Sequence, residues 1–231
     1  MNTNEVAQEM IAKTYQELAA ASRPKQDSRN WKDPEGYRDL LPWSNAVLLR
    51  HLVRVTTSSL PPKEFRRKTQ LDDAARSMVR NIEEGFKRPT TKEYLDFLGF
   101  SQASLEEVKG DTRELTDDDF LASRPGSSLA SIGIDLGAFH EALLRENKGG
   151  YGKVEASNLS AKYAYHPLTI LYPPLKSITA KDLSYEAFLE LINKTDYLLR
   201  LLVKSLETKM NRDGKYYLIE REKIRQKYRG K

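Results

Sequence analysis

From Tyr94 to Leu115 the chain returns to an apolar or small residue at alternating steps of four and three: Tyr94, Leu98, Ser101, Leu105, Val108, Thr112 and Leu115. That spacing is a heptad seam, which keeps one face of a helix turned toward other helices along its whole length. A segment of this kind cannot bury its seam alone, so the sequence on either side must supply partners. It does. Phe65, Leu71, Ala75, Met78, Ile82 and Phe86 recur at helical steps behind Pro61 and Pro62, which predicts a helix from about Pro62 to Lys87. Pro89 and Thr90 separate it from the seam helix. Upstream, Leu41, Val47, Leu48, Leu52 and Val55 mark a helix ending by Leu60, and downstream Phe188, Leu191, Ile192, Thr195, Leu198, Leu199, Leu202 and Leu206 mark a fourth.

The expected fold class is therefore all-α, an up-down-up-down four-helix bundle with an extra N-terminal helix, an insertion before the last bundle helix and a basic C-terminal tail. Residues 1–36 read as the N-terminal helix (Val6, Met10, Thr14 and Leu18 on one face) and a linker. Residues 37–116 read as the first three bundle helices, 117–184 as the insertion, 185–210 as the fourth bundle helix and 211–231 as the tail. A short helix is expected at Leu129–Leu144, weakened by Gly133 and Gly137. Only Tyr163 to Tyr172 has strand-like composition, and Pro167, Pro173 and Pro174 turn that segment into a packed loop.

Function classes narrow by exclusion. With no cysteine there is no disulfide and no thiolate metal site. No run approaches the roughly 18 apolar residues of a membrane span, and Tyr197–Val203 already contains Arg200. Met1 to Ala21 has no signal-like segment, so a soluble, cytoplasmic protein without membrane contact is expected. His51, His140 and His166 are scattered outside any metal-binding pattern. Gly149, Gly150, Gly152 and Lys153 lack the spacing and preceding strand of a phosphate loop. Asp117, Asp118 and Asp119 read as helix termination. Neither a catalytic constellation nor a cofactor is expected.

The net charge of +5 is unevenly placed. Lys215, Arg221, Lys223, Arg225, Lys227, Arg229 and Lys231 stand against only Glu220 and Glu222, which leaves the rest of the chain balanced. Mixed with Tyr216, Tyr217 and Tyr228, these cations suit phosphate neutralisation and base stacking. An equally available reading is a helix that extends the last bundle helix or docks on a neighbouring subunit through Leu218 and Ile224. On the helix from Pro62, Arg66, Arg76, Arg80 and Lys87 fall away from the apolar seam, flanked by Arg67 and Arg88. They form a second phosphate-binding candidate, against the alternative of a solvated face with ion pairs such as Arg76 to Asp72 and Arg80 to Glu84. Gly85 is expected as a helix C-cap with positive φ. Ser104 and Glu106 are expected to hydrogen-bond to Asn81 or Arg80, inside the bundle or at a subunit seam.

The segment Gln70–Arg88 (QLDDAARSMVRNIEEGFKR), with Glu93–Leu105 (EYLDFLGFSQASL), resembles the four-helix-bundle family of bacterial 23S rRNA intervening-sequence proteins. The accessory variability proteins (Avd) of diversity-generating retroelements belong to the same group. The matching positions include Gln70, Leu71, Ala74, Ala75, Ser77, Asn81, Ile82, Glu84, Gly85 and Arg88, then Glu93, Phe97, Leu98, Ser104, Leu105 and Glu106, with Trp43 and Ala46 upstream. The resemblance implies a homo-oligomer in the form of a pentameric ring, no catalysis and, for the retroelement members, binding to RNA or DNA and to a reverse transcriptase. Asp72 and Asp73 stand where the family commonly has a basic pair, and Glu83 replaces an alanine. The expected function is an oligomeric nucleic-acid-binding accessory protein; the alternative is a helical-bundle scaffold for protein–protein contacts.

Overall fold

The structure, a computed structural model, describes residues 33–146 and 168–228. Among these residues it is helical, with one isolated bridge between Ala122 and Ser184 as the only sheet-like pairing. Four long helices make the bundle or belong to it in part: α1 (Leu41–Ser58), α2 (Phe65–Phe86), α3 (Thr91–Asp117) and α6 (Tyr185–Tyr228). The first and third each pack on the second and on α6, which closes a ring of four around one core. Short links after α1 and α2 force antiparallel neighbours. The N-terminal helix expected before residue 33 and the glycine cluster at 149–152 lie outside the described residues.

Every residue of the heptad seam in α3 is buried. The small polar members are satisfied by backbone carbonyls. The Ser101 hydroxyl donates to the Met78 carbonyl of α2 at 2.9 Å, and the Thr112 hydroxyl to the Lys109 carbonyl at 3.0 Å. A buried hydroxyl left without a partner would cost about 1–3 kcal/mol. The start of α3 is fixed by a capping box. Thr90 Oγ1 accepts from the Glu93 N–H, and the Glu93 carboxylate accepts from the Thr90 N–H. Its end is a Schellman turn, in which Asp119 takes φ 62° and the Phe120 N–H reaches back to Leu115 O at 2.8 Å. The three aspartates thus terminate the helix.

Three expectations are corrected. Phe65 is 72% exposed rather than on the seam of α2, because it stands six residues before Leu71, about 120° round the helix from it. Gly85 has no positive φ. It is a buried residue inside α2, where an added Cβ would come within 2.7 Å of the Phe97 Cβ and 2.8 Å of the Tyr94 ring. The glycine allows α2 and α3 to approach closely. The helix expected over Leu129–Leu144 is broken: a 3-10 turn, Ala130–Ile132, stops at Gly133 with φ 79°, and α4 (Leu136–Arg145) starts afresh with Asp135 as its cap.

The insertion contributes to the core. Phe139 of α4, with Leu129, Ile134, Tyr172 and Leu175, joins the same apolar cluster as the bundle, and α4 lies on α1. The short helix α5 (Leu168–Leu171) leads into Tyr172, whose ring meets Phe139 edge-on. Covered by α2, α6 and α4, α1 is buried without interruption from Pro42 to Leu49. Glu186 at the start of α6 accepts from Ser123 and from the Arg124 N–H, and Glu190 from the Leu129 N–H. These contacts fasten the insertion to the fourth bundle helix.

Candidate nucleic-acid interface

The departures from the family pattern have structural work to do. Glu83 is buried between two helices, with Oε1 accepting from the Trp43 indole N–H at 3.1 Å and Oε2 from Arg80 at 2.8 Å. Asp72 accepts from the Thr57 hydroxyl at 2.8 Å, joining the end of α1 to α2. A buried carboxylate is tolerated only when its oxygens are paired in this way. Arg80 is therefore held by its own chain through Glu83, where Glu84 was the expected partner. Glu106, in turn, reaches Lys109 of its own helix at 3.7 Å instead of crossing to Asn81 or Arg80.

The remaining cations of α2 divide by place. Arg66 and Arg76 are exposed on the side opposite Leu71, Ala75, Met78 and Ile82. Ten residues apart on one helix, they stand ~15 Å from each other. Arg76 also lies 3.9 Å from Asp73, an exposed pair of little energetic weight. Arg67 is engaged inside the chain, 2.7 Å from Asp118 beyond the end of α3 and 5.6 Å from the Phe120 ring centre. At the turn between α2 and α3 the cations lie on aromatic faces: Lys87 is 5.4 Å from the Tyr37 ring centre and Arg88 is 4.3 Å from that of Phe97. Arg38 shares the Tyr37 ring at 6.0 Å, a residue that periodicity alone did not single out.

The tail is continuous with the bundle. The helix α6 runs without a break to Tyr228 and carries Lys215, Arg221, Lys223, Arg225 and Lys227 along it; Arg229 lies outside the described residues. Its first turns are anchored by Ala187, Phe188, Leu191, Ile192, Thr195 and Leu199, all buried. From Glu207 onward the side chains that the structure describes are exposed apart from Met210, and Leu218 is 63% exposed. At 1.5 Å per residue, the helix continues ~30 Å past Leu206.

The outward side of α3 has the opposite sign. Asp96, Glu107 and Glu114 point away from the core with Glu106 and Asp117 beside them, against Lys92 and Arg113. Between two of these acids Phe100 is 57% exposed, its ring 5.7 Å from that of Phe97. Asp111 flanks this face. Burial, and then Glu114 and Glu107, push its carboxyl above the usual range, opposed by Arg67. A second run of alternating four and three steps, Asp96, Phe100, Ala103, Glu107, Gly110 and Glu114, was the signal in the sequence for this face. Polar members hid it.

Among the described residues no group of three or more His, Asp or Glu side chains is placed to hold a metal ion, and no helix is long and apolar enough to cross a membrane. Exposed cations such as Arg66 and Arg76 are of the type that meets phosphates rather than reads base edges. No curated protein and no solved structure matches the chain. Over its first three bundle helices the chain is similar to the 23S rRNA-intervening sequence proteins: residues 38–132 match that family's model, the family to which the motifs of α2 and α3 point.

Proposed function

We propose that this chain is a non-catalytic, cytoplasmic accessory protein that assembles into a homo-oligomer, a pentameric ring like that of the Avd group, and binds RNA or DNA through its phosphates. The observation that carries the reading is α6: a helix rooted in a bundle similar to the 23S rRNA-intervening sequence proteins continues beyond it with the positive charge of the chain concentrated on it. Arg66, Arg76, Lys87 and Arg88 add weaker contacts from the bundle surface, and each copy in a ring repeats them, so that many weak contacts sum by effective concentration. A reverse transcriptase is the protein partner proposed for such a complex. The scaffold reading draws on the acidic outward side of α3, which repels phosphate and favours a basic protein segment.

Retardation of single-stranded RNA and DNA across a salt series tests the proposal. Binding that weakens uniformly for unrelated sequences as salt rises is the expected result. Arg66→Glu with Arg76→Glu should lower the affinity several-fold without changing the oligomer, since neither side chain is held by a buried partner. Failure of the intact protein to retard any nucleic acid near about 50 mM salt would leave the scaffold reading in its place.

A further inference from the structure

Two helices of the bundle carry a second, outward stripe that nothing within the described chain covers. On α3 the stripe is Asp96, Phe100, Ala103, Glu107, Gly110 and Glu114; on α6 it begins Tyr197, Leu201, Lys204, Thr208 and Asn211. Both follow the alternating steps of four and three that bring one helix against another. Both contain large apolar side chains in the open, Phe100 at 57%, Tyr197 at 62% and Leu201 at 45% exposure. Leu201, Lys204, Ser205, Thr208, Lys209 and Arg212 make one continuous open face of the helix along the α6 stripe.

The two stripes are complementary in charge. Asp96, Glu107 and Glu114 make no ion pair among the described residues, and neither do Lys204 and Lys209. They run for comparable lengths, ~27 Å from Asp96 to Glu114 and ~21 Å from Tyr197 to Asn211. Along α3 the backbone is open to close approach: a Cβ added at Gly110 would meet nothing within 4 Å, so packing inside the chain does not require that glycine.

We infer that the outward stripe of α3 receives the outward stripe of α6 from a second copy of this chain. The contact joins two different patches, so it is heterologous, and each copy offers one of each; repetition closes a ring or extends a filament. Phe100 meets Tyr197 and Leu201 in the apolar part, while the acids of α3 face Lys204 and Lys209. Docking of this part of α6 leaves the helix beyond Lys215 outside the contact, aligned by its root. The inference rests on the oligomer in the proposed function but not on its nucleic-acid binding.

The test uses nuclease-treated full-length protein, with the mass measured by light scattering at micromolar concentration. Glu107→Lys with Glu114→Lys should convert the oligomer to monomer, and Lys204→Glu with Lys209→Glu should do the same. The chain carrying all four changes should reassemble, an outcome that an unfolded variant cannot give. An oligomer that survives either reversal, or a four-fold variant that stays monomeric, overturns this contact while leaving the oligomer itself standing. A wild-type chain that is monomeric after nuclease treatment overturns both. Retardation assays on the same samples report separately on the nucleic-acid reading.

Discussion

The first turns of α6 and its last ones belong to one helix but to different environments. From Ala187 to Leu199 it buries a side chain at nearly every turn against α1 and α3, and its hydrogen-bonding carboxylates tie down the insertion. From Glu207 on it exposes Leu218 and Ile219 and accumulates cations. An isolated helix of that length and composition is marginal in water, so the outer part draws on its continuity with the anchored root. Under the proposed function, the same secondary structure serves stability at one end and recognition at the other. Substitutions should separate the two.

The largest effect is expected in the common core. Met78 is fully buried on the α2 seam, so Met78→Asp should lower the unfolding free energy by about 3–5 kcal/mol, because an unpaired carboxylate enters the apolar interior. An unchanged melting temperature would show that the seam is elsewhere. Within α6, Leu199→Ala should cost about 2–5 kcal/mol and Leu218→Ala no more than about 0.5 kcal/mol, since one side chain is fully buried and the other is mostly in solvent. Equal destabilisation in chemical denaturation would erase the contrast between the two ends. Gly85→Ala falls between these, at about 1–3 kcal/mol, because its methyl group would drive α2 away from Phe97 and Tyr94.

The smallest expected effect concerns pH. Asp111 titrates higher in the folded chain than in the unfolded one, chiefly through burial and then through Glu114 and Glu107. The folded state therefore holds this proton more tightly, and the contribution of Asp111 to stability falls as pH rises from the unfolded value through the folded one. Asp111→Asn removes that titration. Thermal melts at acidic and neutral pH should show a smaller loss toward neutrality in the variant than in the parent; an identical pH dependence would contradict the environment assigned to Asp111.

Much of the fold was legible because spacing alone decides which residues face a partner. The α3 seam needed no three-dimensional information, and all seven of its positions are buried. Elsewhere local chemistry competed with periodicity. Phe65 lies six residues before Leu71, about 120° round the helix from it, and so falls off the seam, and Gly133 left the Leu129–Leu144 pattern intact while turning the chain out of the helix. Gly85 shows a different gap: a glycine near a helix end signals a cap in sequence, whereas here the reason lies on the facing helix. The candidate site was less legible still. Outward phase identified Arg66 and Arg76, but it cannot report that Arg80 and Trp43 share the carboxylate of Glu83, or that Arg67 meets Asp118 beyond the end of α3. Packing between helices sets the Trp43–Glu83 and Arg67–Asp118 contacts. The α6 cations were found by composition, while the uninterrupted helix on which they fall follows from its continuity with the buried turns.

Whether the outer part of α6 acts in recognition and not in folding is decided most directly by removing Lys215 to Lys231. Binding of single-stranded RNA should be titrated across a salt series for the intact and the shortened chain, alongside their thermal melts. Recognition by the outer helix predicts an unchanged melting temperature and weaker binding to unrelated sequences alike. It also predicts a flatter dependence of log affinity on log salt, by about 0.7 for each phosphate that the shortened chain no longer neutralises. Equal affinity and equal salt dependence in the two chains would contradict it, as would a shortened chain that no longer folds.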